Sequence, residues 1–336
     1  MHRFMNQKSN SAYSAIALFS GGLDSILAVK WMQHKGYIVY PVYFSTPYMP
    51  AERAIQSAAE NGIQLIIRDI SEQHMTMMQD PVYGFGKHLN PCIDCHALMF
   101  KMAGEMLEEL NAHYLISGEV LGQRPMSQRR EAMNQVGKLC GYKDLLLRPL
   151  SQKHLADTKP IREGWVDLED MLDFSGRGRS RQLALAQQLG ISSFPAPAGG
   201  CLLTDRNFTL RLRDLFEHGQ NDPENLELIR YGRHFRLSDE CKLIVGRDEN
   251  DNNAMAAVAH TGIRLLAEEI TGPLGWITCS NPSSEILNLA LSIFWYYHKK
   301  ADDQGSVLLE SESGIQKKQA VKCDAKLLKQ FHISYD

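Results

Sequence analysis

The sequence predicts an α/β fold, in which a parallel β-sheet carries helices on both faces and a smaller α/β domain follows. Apolar runs alternate with helical patterns through residues 15–70, and one of these runs is apolar almost throughout, as in buried parallel strands. A Gly-Gly pair joins the first run to the first helical pattern. The chain has 336 residues, of which 44% are hydrophobic, so it is long enough for two domains with separate cores.

Each element of the first domain follows from a local pattern. Short apolar runs predict strands, and apolar side chains at helical spacing that end near glycine predict helices. In chain order, the strands are predicted at 15–19, 37–44, 63–70 and 113–117, and the helices at 24–35, 51–61 and 94–110. Sites in such sheets lie beyond the carboxyl ends of the strands, so residues 20–25 and 117–128 are the candidates for chemistry.

The second half of the chain is less regular. A helix is predicted at 181–189 and a proline- and glycine-containing loop at 194–201. The polar stretch 218–223 is the best linker candidate. The sequence therefore predicts one domain at 1–218 and a smaller α/β domain at 225–336.

Composition limits the partners and the compartment. Residues 1–14 are polar, and no stretch approaches the roughly 18 uncharged apolar residues of a membrane span, which predicts a cytoplasmic protein without a membrane partner. A formal net charge of -3 gives no global attraction to nucleic acid, so RNA binding requires local patches. Seven cysteines without an export signal favour metal or redox chemistry over a disulfide framework.

The turn after the first predicted strand reads Ser-Gly-Gly-Leu-Asp-Ser. The backbone N–H groups of Gly21 and Gly22 and the hydroxyls of Ser20 and Ser25 can bind phosphate or pyrophosphate at a helix N-terminus, and Asp24 can help to hold Mg²⁺. The turn lacks the lysine of Walker A and does not match G-x-G-x-x-G. The competing interpretation is a tight turn in which Asp24 only caps the helix.

Three cysteines predict a second site. Cys92 and Cys95 form a C-x-x-C pair, and Cys201 follows a Gly-Gly pair; three thiolates can hold a [4Fe-4S] cluster with one iron open to external sulfide. The alternatives are persulfide and disulfide chemistry, a structural zinc site with His96 as fourth ligand, or packing alone. The remaining cysteines lack such spacing and are predicted to be ordinary thiols: Cys140, Cys241, Cys279 and Cys323.

Several motifs resemble those of known families. The turn at 20–25 matches the S-G-G-x-D-S signature of the PP-loop superfamily, and the segments at 117–123, 127–128 and 147–150 resemble the TGE-x-LGQ…SQ…RPL series of ThiI-type tRNA 4-thiouridine synthetases. The Asn-Pro-Cys-x-x-Cys segment resembles the cysteine site of tRNA 2-thiouridine synthetases, some of which hold a [4Fe-4S] cluster on three cysteines. The segments at 232–238 and 245–250 resemble the RNA-binding module of the NFACT proteins. Typical 4-thiouridine synthetases carry N-terminal ferredoxin-like and THUMP domains, which have no counterpart before residue 15, and no rhodanese-like extension is evident.

The resemblance implies a PP-loop fold of the adenine nucleotide alpha hydrolase type and ATP-dependent tRNA thiolation. A uridine carbonyl oxygen attacks the α-phosphate of ATP, pyrophosphate leaves, and sulfur then displaces AMP to give 4-thiouridine or 2-thiouridine. The implied partners are tRNA and a sulfur donor, either sulfide or a cysteine desulfurase persulfide, with a homodimer as a further expectation. The implied ATP contacts are Ser20, Gly21, Gly22, Asp24, Ser25, Gly118, Gln123 and Ser127, with Mg²⁺ near Asp24. The implied catalytic residues are Asp24, Cys92, Cys95 and Cys201, of which the three cysteines are also the metal ligands.

Four arginines are the predicted RNA contacts. Arg124 follows the fourth predicted strand, and Arg177, Arg179 and Arg181 form a dense positive strip suited to tRNA phosphates. The competing interpretation of both segments is a solvated polar surface.

Two other functions compete with tRNA thiolation. A PP-loop sulfur transferase acting on a small molecule would also need the glycine turn and the cysteines, but not the arginine strip or the NFACT-like segment. A non-catalytic RNA-binding protein would carry a vestigial nucleotide site, against which the intact signature argues.

Overall fold

The computed structural model describes residues 12–86, 88–124, 126–196 and 201–333. The chain divides into two compact units, Met1–Thr204 and Asp205–Asp336. The division lies before the sequence-predicted boundary at 218, because the helix Arg206–Glu217 packs with the second unit. On this helix, Arg211 donates to the Ile229 carbonyl at 3.0 Å and Asp214 pairs with Arg236 at 2.5 Å.

The first unit contains a parallel five-stranded sheet in the order β3-β2-β1-β4-β5. The strands are β1 (Ser14–Leu18), β2 (Ile38–Ser45), β3 (Ile66–Asp69), β4 (Tyr114–Ser117) and β5 (Leu146–Leu147). β1 pairs with both β2 and β4. The strand order reverses between β1 and β4, which is where ligands bind in open α/β sheets.

Helices cover both faces of this sheet, as the sequence predicts. Alternate residues of β1 enter different cores: Ala15 and Ala17 pack with α1, and Ile16 packs with Phe100 of α4. The described helices of the unit are α1 (Leu23–His34), α2 (Glu52–Glu60), α3 (Ser71–Gln79), α4 (Cys92–Glu105), α5 (Arg130–Cys140), α6 (Lys159–Arg162) and α7 (Ser180–Gln188). Single 3-10 turns lie at Lys143–Leu145, Gln152–His154, Leu168–Asp170 and Leu202–Thr204. The expected parallel sheet between two helical layers is confirmed.

The second unit contains a six-stranded sheet in the order β11-β10-β8-β9-β7-β6, with antiparallel pairing throughout its described strands. The strands are β6 (Arg233–Arg236), β7 (Lys242–Val245), β8 (Ile263–Ala267), β9 (Gly275–Ile277), β10 (Gln304–Ser311) and β11 (Gly314–Val321). The described helices are α8 (Arg206–Glu217), α9 (Pro223–Leu228), α10 (Glu249–Val258), α11 (Ser284–Tyr296) and α12 (Ala325–Phe331). One core packs α11 against Leu243 and Leu265, and a second surrounds Ile244 and Met255.

One cysteine pair corrects the expectation of ordinary thiols. Cys241 and Cys279 form a disulfide, with their Cα atoms 5.2 Å apart. Cys241 precedes β7 and Cys279 follows β9, and the register that pairs Leu243 with Ile277 continues to these two residues. Their separation of 38 residues hides this proximity in the sequence. Cys140 and Cys323 are free thiols, as predicted.

None of the helices among the described residues is both long and apolar enough to cross a bilayer.

Candidate active site

The glycine turn lies between β1 and α1 and is held tightly against α2. Gly21 has a φ of +75°, which favours glycine, and a Cβ atom there would lie 3.1 Å from the Cα of Ala54. The Ser57 hydroxyl donates to the Gly21 carbonyl at 2.8 Å. Gly22 is the N-cap of α1 and has no side-chain cap, so the first turn of the helix is open to an anionic ligand.

The two serines of the turn bond to each other and to its backbone. The Ser25 hydroxyl donates to the Gly22 carbonyl at 2.8 Å and accepts from the Ser20 backbone N–H at 3.2 Å. Ser25 is buried, whereas Ser20 is exposed. These bonds fix the loop before any ligand binds.

Asp24 has one carboxylate oxygen in use and one without a partner. Gln123 donates to Oδ2 at 2.7 Å, while Oδ1 is buried and has no hydrogen bond to the described residues. Burial raises the pKa of Asp24, against the opposing effects of Gln123, Arg179 and Arg124. A buried carboxylate oxygen without a donor suits a cation, so this side chain fits the Mg²⁺ that the sequence predicts.

Gly118 brings the end of β4 against the glycine turn. A Cβ atom at this position would lie 2.4 Å from the Asp24 carbonyl oxygen and 2.7 Å from the Ser25 nitrogen. Only glycine therefore allows this close approach. The contact joins the two segments that the sequence predicts for chemistry.

The segment after β4 forms an ordered loop. The Gly122 N–H donates to the Gln128 carbonyl at 2.7 Å, and the Gln128 N–H donates to the Arg124 carbonyl at 3.0 Å. Ser127 and Gln128 are buried. The role of Ser127 as an ATP contact stays a prediction, whereas Gln123 contacts Asp24 directly.

A buried ionic network beyond β4 and β5 escaped the sequence analysis. Glu119 pairs with Arg148 at 2.7 Å and with His96 at 3.1 Å, and it accepts from Ser117 at 3.2 Å. Burial opposes ionisation of Glu119, but Arg148 and His96 outweigh it and lower the pKa of this carboxyl to about 2. The available signal was the position of Glu119 in the S-G-E segment, directly after a predicted strand, and of Arg148 in the R-P-L segment.

The cysteines lie at the start of α4 and just after the undescribed residues 197–200. Cys92 donates to the Asn90 side chain at 3.0 Å, and the sulfur of buried Cys95 lies 3.5 Å from Nε2 of His74. Burial raises the pKa of all three thiols, and the charges of Cys201 and Cys92 raise that of Cys95 further. The fold therefore brings Cys92, Cys95 and Cys201 into one neighbourhood.

Within the described ranges, no group of three side chains has the arrangement of a metal site. His96, which the sequence suggested as a fourth zinc ligand, pairs with Glu119 instead. The described residues therefore do not show the expected [4Fe-4S] or zinc site, and both stay predictions.

The predicted arginine strip is divided between different surroundings. Arg181 pairs with Asp173 and lies over the ring of Phe174, with 4.5 Å between the guanidinium carbon and the ring centroid. Arg177 is exposed.

Arg179 is different from both neighbours. It is partly buried, and its charge and that of Arg124 favour the ionised form of Asp24. Arg124 also opposes the rise that burial causes in the pKa of Cys92. One guanidinium therefore lies within electrostatic reach of both the glycine turn and a cysteine.

Two family models match this chain, one in each unit. Residues 10–154 match the sequence model of the family described as thiamine biosynthesis protein (ThiI), which overlaps the glycine turn, Cys92, Cys95 and the buried ionic network. The first unit is thus similar to the ThiI family over these residues. Residues 232–331, in the second unit, match the NFACT protein RNA binding domain.

Individual relatives match only part of this chain. The probable tRNA sulfurtransferase of Methanosarcina mazei is 32% identical over 119 residues, which are 32% of this chain and 28% of that protein. Uncharacterized protein MJ1599 of Methanocaldococcus jannaschii is 26% identical over 143 residues, which are 41% of this chain and 50% of that protein. The chain thus spans half or less of the length of these relatives.

Solved structures include a 4-thiouridine synthetase in complex with RNA and ATP. It is 20% identical and covers 53% of this chain and 50% of its own, with a TM-score of 0.34.

Proposed function

We propose that the protein is an ATP-dependent tRNA sulfurtransferase that makes 4-thiouridine or 2-thiouridine. The observation that carries the proposal is the glycine turn, where Asp24 has a buried oxygen without a partner among the described residues, beside an open helix N-terminus, in a unit that also holds Cys92, Cys95 and Cys201. A sulfurtransferase that first adenylates its substrate needs a nucleotide site and sulfur-carrying groups in one domain. The ThiI-type match, the relative named as a tRNA sulfurtransferase and the RNA-binding match support tRNA as the substrate.

The glycine turn supplies the phosphate contacts of the first step. A uridine carbonyl oxygen attacks the α-phosphate of ATP, the bond to the β-phosphate breaks, and pyrophosphate leaves. The N–H groups of Gly21 and Gly22 and the Ser20 hydroxyl stabilise the charge that develops on the phosphates. Mg²⁺ held by Oδ1 of Asp24 would neutralise part of that charge.

In the second step, the cysteines transfer sulfur from an external donor to the base. Cys92 is partly exposed, so we assign it the persulfide, which forms when its thiolate attacks the outer sulfur of a cysteine desulfurase persulfide and releases the desulfurase thiol. The terminal sulfur attacks the activated carbon of the base and AMP leaves. Cys201 then attacks the remaining sulfur of Cys92, which releases the thiolated base and leaves a disulfide that an external dithiol reduces.

Thiolation of unmodified tRNA tests the function. We would incubate anaerobically purified protein with tRNA, Mg-ATP and either sulfide or a cysteine desulfurase with cysteine, and then identify the nucleosides by mass spectrometry. We expect thiouridine, AMP and pyrophosphate in equal amounts. Thiolation that is absent with both donors would contradict the proposal.

Cysteine variants test the assignment of sulfur transfer. Cys92→Ser and Cys201→Ser are expected to abolish thiolation and to keep ATP binding, whereas Cys140→Ser, outside the cysteine group, is the matched control. Iron, zinc and acid-labile sulfide would be measured in the same samples. A stoichiometric cluster that is lost in the Cys92 and Cys201 variants would replace the persulfide route.

A further inference from the structure

The loop that carries Arg177 and Arg179 runs beside the segment that follows β4. Ser175 forms a parallel β-bridge with Leu121, and the Gly176 N–H donates to the Leu121 carbonyl at 2.7 Å. These contacts attach the loop to the strand end next to the glycine turn. The loop therefore begins beside the nucleotide site, while Arg177 itself is exposed to solvent.

Side-chain hydrogen bonds continue this connection from α7 to Asp24. Buried Gln182 donates to Oε1 of Gln123 at 2.9 Å, and Gln123 donates to Oδ2 of Asp24 at 2.7 Å. The amide of Gln123 is thus fixed at both ends. The first turn of α7 is held at a defined distance from the glycine turn.

Arg179 is the N-cap residue of α7 and lies three residues before Gln182 in the chain. Its Nε is buried and has no hydrogen bond to the described residues. An unpartnered guanidinium nitrogen in this position is costly unless a ligand accepts from it. Arg124 contributes a second positive charge near the same carboxylate.

Two guanidinium groups beside one carboxylate leave an excess of positive charge next to an open helix N-terminus. Guanidinium groups match phosphate oxygens with charge-assisted, often bidentate hydrogen bonds. Asp24 accepts from neither arginine: its Oδ2 accepts from Gln123, and its Oδ1 has no hydrogen bond to the described residues. The ligand that this arrangement fits is a polyphosphate.

We propose that Arg179 and Arg124 bind the β- and γ-phosphates of ATP, and the pyrophosphate after it forms, and that they do not bind tRNA phosphates. The identity of the nucleotide rests on the proposed function. Arg179 positions the leaving group, and Arg124 adds a second positive charge near Asp24. This assignment replaces the sequence expectation of RNA contacts for these two arginines.

Calorimetric titration of the full-length protein tests the proposal. The ligands are Mg-ATP, pyrophosphate, AMP and unmodified tRNA, and the variants are Arg179→Ala, Arg179→Lys and Arg124→Ala. Arg177→Ala, two residues away and exposed, is the matched control. We expect Arg179→Ala to weaken ATP and pyrophosphate binding by roughly 10- to 100-fold, with AMP and tRNA affinities within about twofold of the wild type.

Arg179→Lys keeps the charge and is expected to recover part of the lost affinity. If the alanine variant folds poorly, the lysine variant still tests the proposal. Equal losses of ATP and AMP affinity, or a loss of tRNA affinity with ATP binding unchanged, would overturn the proposal. Wild-type protein that binds polyphosphate as expected but never thiolates tRNA would refute the proposed function alone. Active wild type with unchanged ATP binding in Arg179→Ala would refute this inference alone.

Discussion

The Glu119 carboxylate combines deep burial with ionisation. Its two oxygens are occupied by Arg148, His96 and Ser117, and the Arg148 side chain is itself only slightly exposed. Both charges are largely shielded from water, so each depends on the other for its stability. The network lies beyond the carboxyl ends of β4 and β5, where it fixes the start of the segment that reaches Asp24.

Glu119→Gln is expected to destabilise the first unit. The change leaves the Arg148 guanidinium buried without its counter-charge, which costs about 3–5 kcal/mol at pH 7. The folded-state pKa of about 2 lies below the ordinary value of 4.5, so the stabilisation is present above pH 4.5 and disappears as the pH falls toward 2. Urea unfolding at pH 7, 4.5 and 3 would measure the difference between variant and wild type.

The control is Glu105→Gln, because Glu105 is exposed and forms only a long i,i+4 pair with Lys101. We expect this control to change the free energy of unfolding by less than about 0.5 kcal/mol. A Glu119→Gln variant as stable as the control would show that the network contributes no net stability.

Lys242 is the opposite case, a buried amine without a partner. Its Nζ has no hydrogen bond to the described residues, and burial lowers the pKa of this lysine to about 7. Lys242→Met is therefore expected to stabilise the second unit by about 1–3 kcal/mol at pH 7. Because the folded pKa lies below the unfolded value, wild-type stability should rise from pH 7 to about 10.5, and the methionine variant should lack this rise.

Thermal unfolding of both proteins across this pH range measures the effect, with Lys326→Met on the exposed face of α12 as control. A lower melting temperature for Lys242→Met would mean that the amine has a stabilising role in the folded protein.

At the scale of elements, the position of the glycine turn depends on the contact between β4 and α1. Gly118→Ala would place a Cβ atom 2.4 Å from the Asp24 carbonyl oxygen. Neither a Cβ atom nor a backbone oxygen can rotate away, so β4 or α1 has to move. We expect ATP affinity to fall at least tenfold. The matched control is Gly178→Ala, because a Cβ atom at Gly178 has no neighbour within 4 Å.

Titration of both variants with Mg-ATP measures the effect, and circular dichroism checks that each is folded. A Gly118→Ala protein with wild-type affinity would show that β4 and α1 can separate without disturbing the nucleotide turn.

Local sequence patterns predicted the elements around this contact, but they did not predict contacts between residues that are distant in the chain. The first strand, the glycine turn and α1 each depend on a few consecutive residues, and their positions were predicted to within a few residues. The Glu119 network and the Cys241–Cys279 disulfide join residues far apart in the chain, which periodicity does not register. α8 was assigned to the first domain because its amphipathic pattern does not identify the core that it covers.

The arginine strip shows the same limit within the site. Arg177, Arg179 and Arg181 are adjacent in the sequence and look equivalent, but only Arg179 lies in electrostatic contact with Asp24. Its environment depends on Gln123 and Gln182, which approach one another only in the folded chain. The sequence showed three closely spaced positive charges, but it did not show which group each arginine contacts.

At the scale of the whole molecule, the two units have separate hydrophobic cores and separate constraints. The phosphate-binding turn belongs to the first unit, and the Cys241–Cys279 disulfide belongs to the second. A ligand that binds only the folded state stabilises the unit that holds its site. A disulfide stabilises mainly by restricting the unfolded chain that it closes, here across 38 residues.

Calorimetric unfolding is therefore expected to show two transitions that respond to different additions. Mg-ATP at about 100 times its Kd should raise the first unit's stability by about 2.7 kcal/mol, and a thiol reductant should lower that of the second by about 2–4 kcal/mol. Hydrogen exchange of peptides from each unit assigns the transitions, and a Cys241→Ala/Cys279→Ala variant should not respond to the reductant. If both transitions shift together with either addition, the units unfold as one cooperative body, because only coupled cores transmit a local constraint to the whole chain.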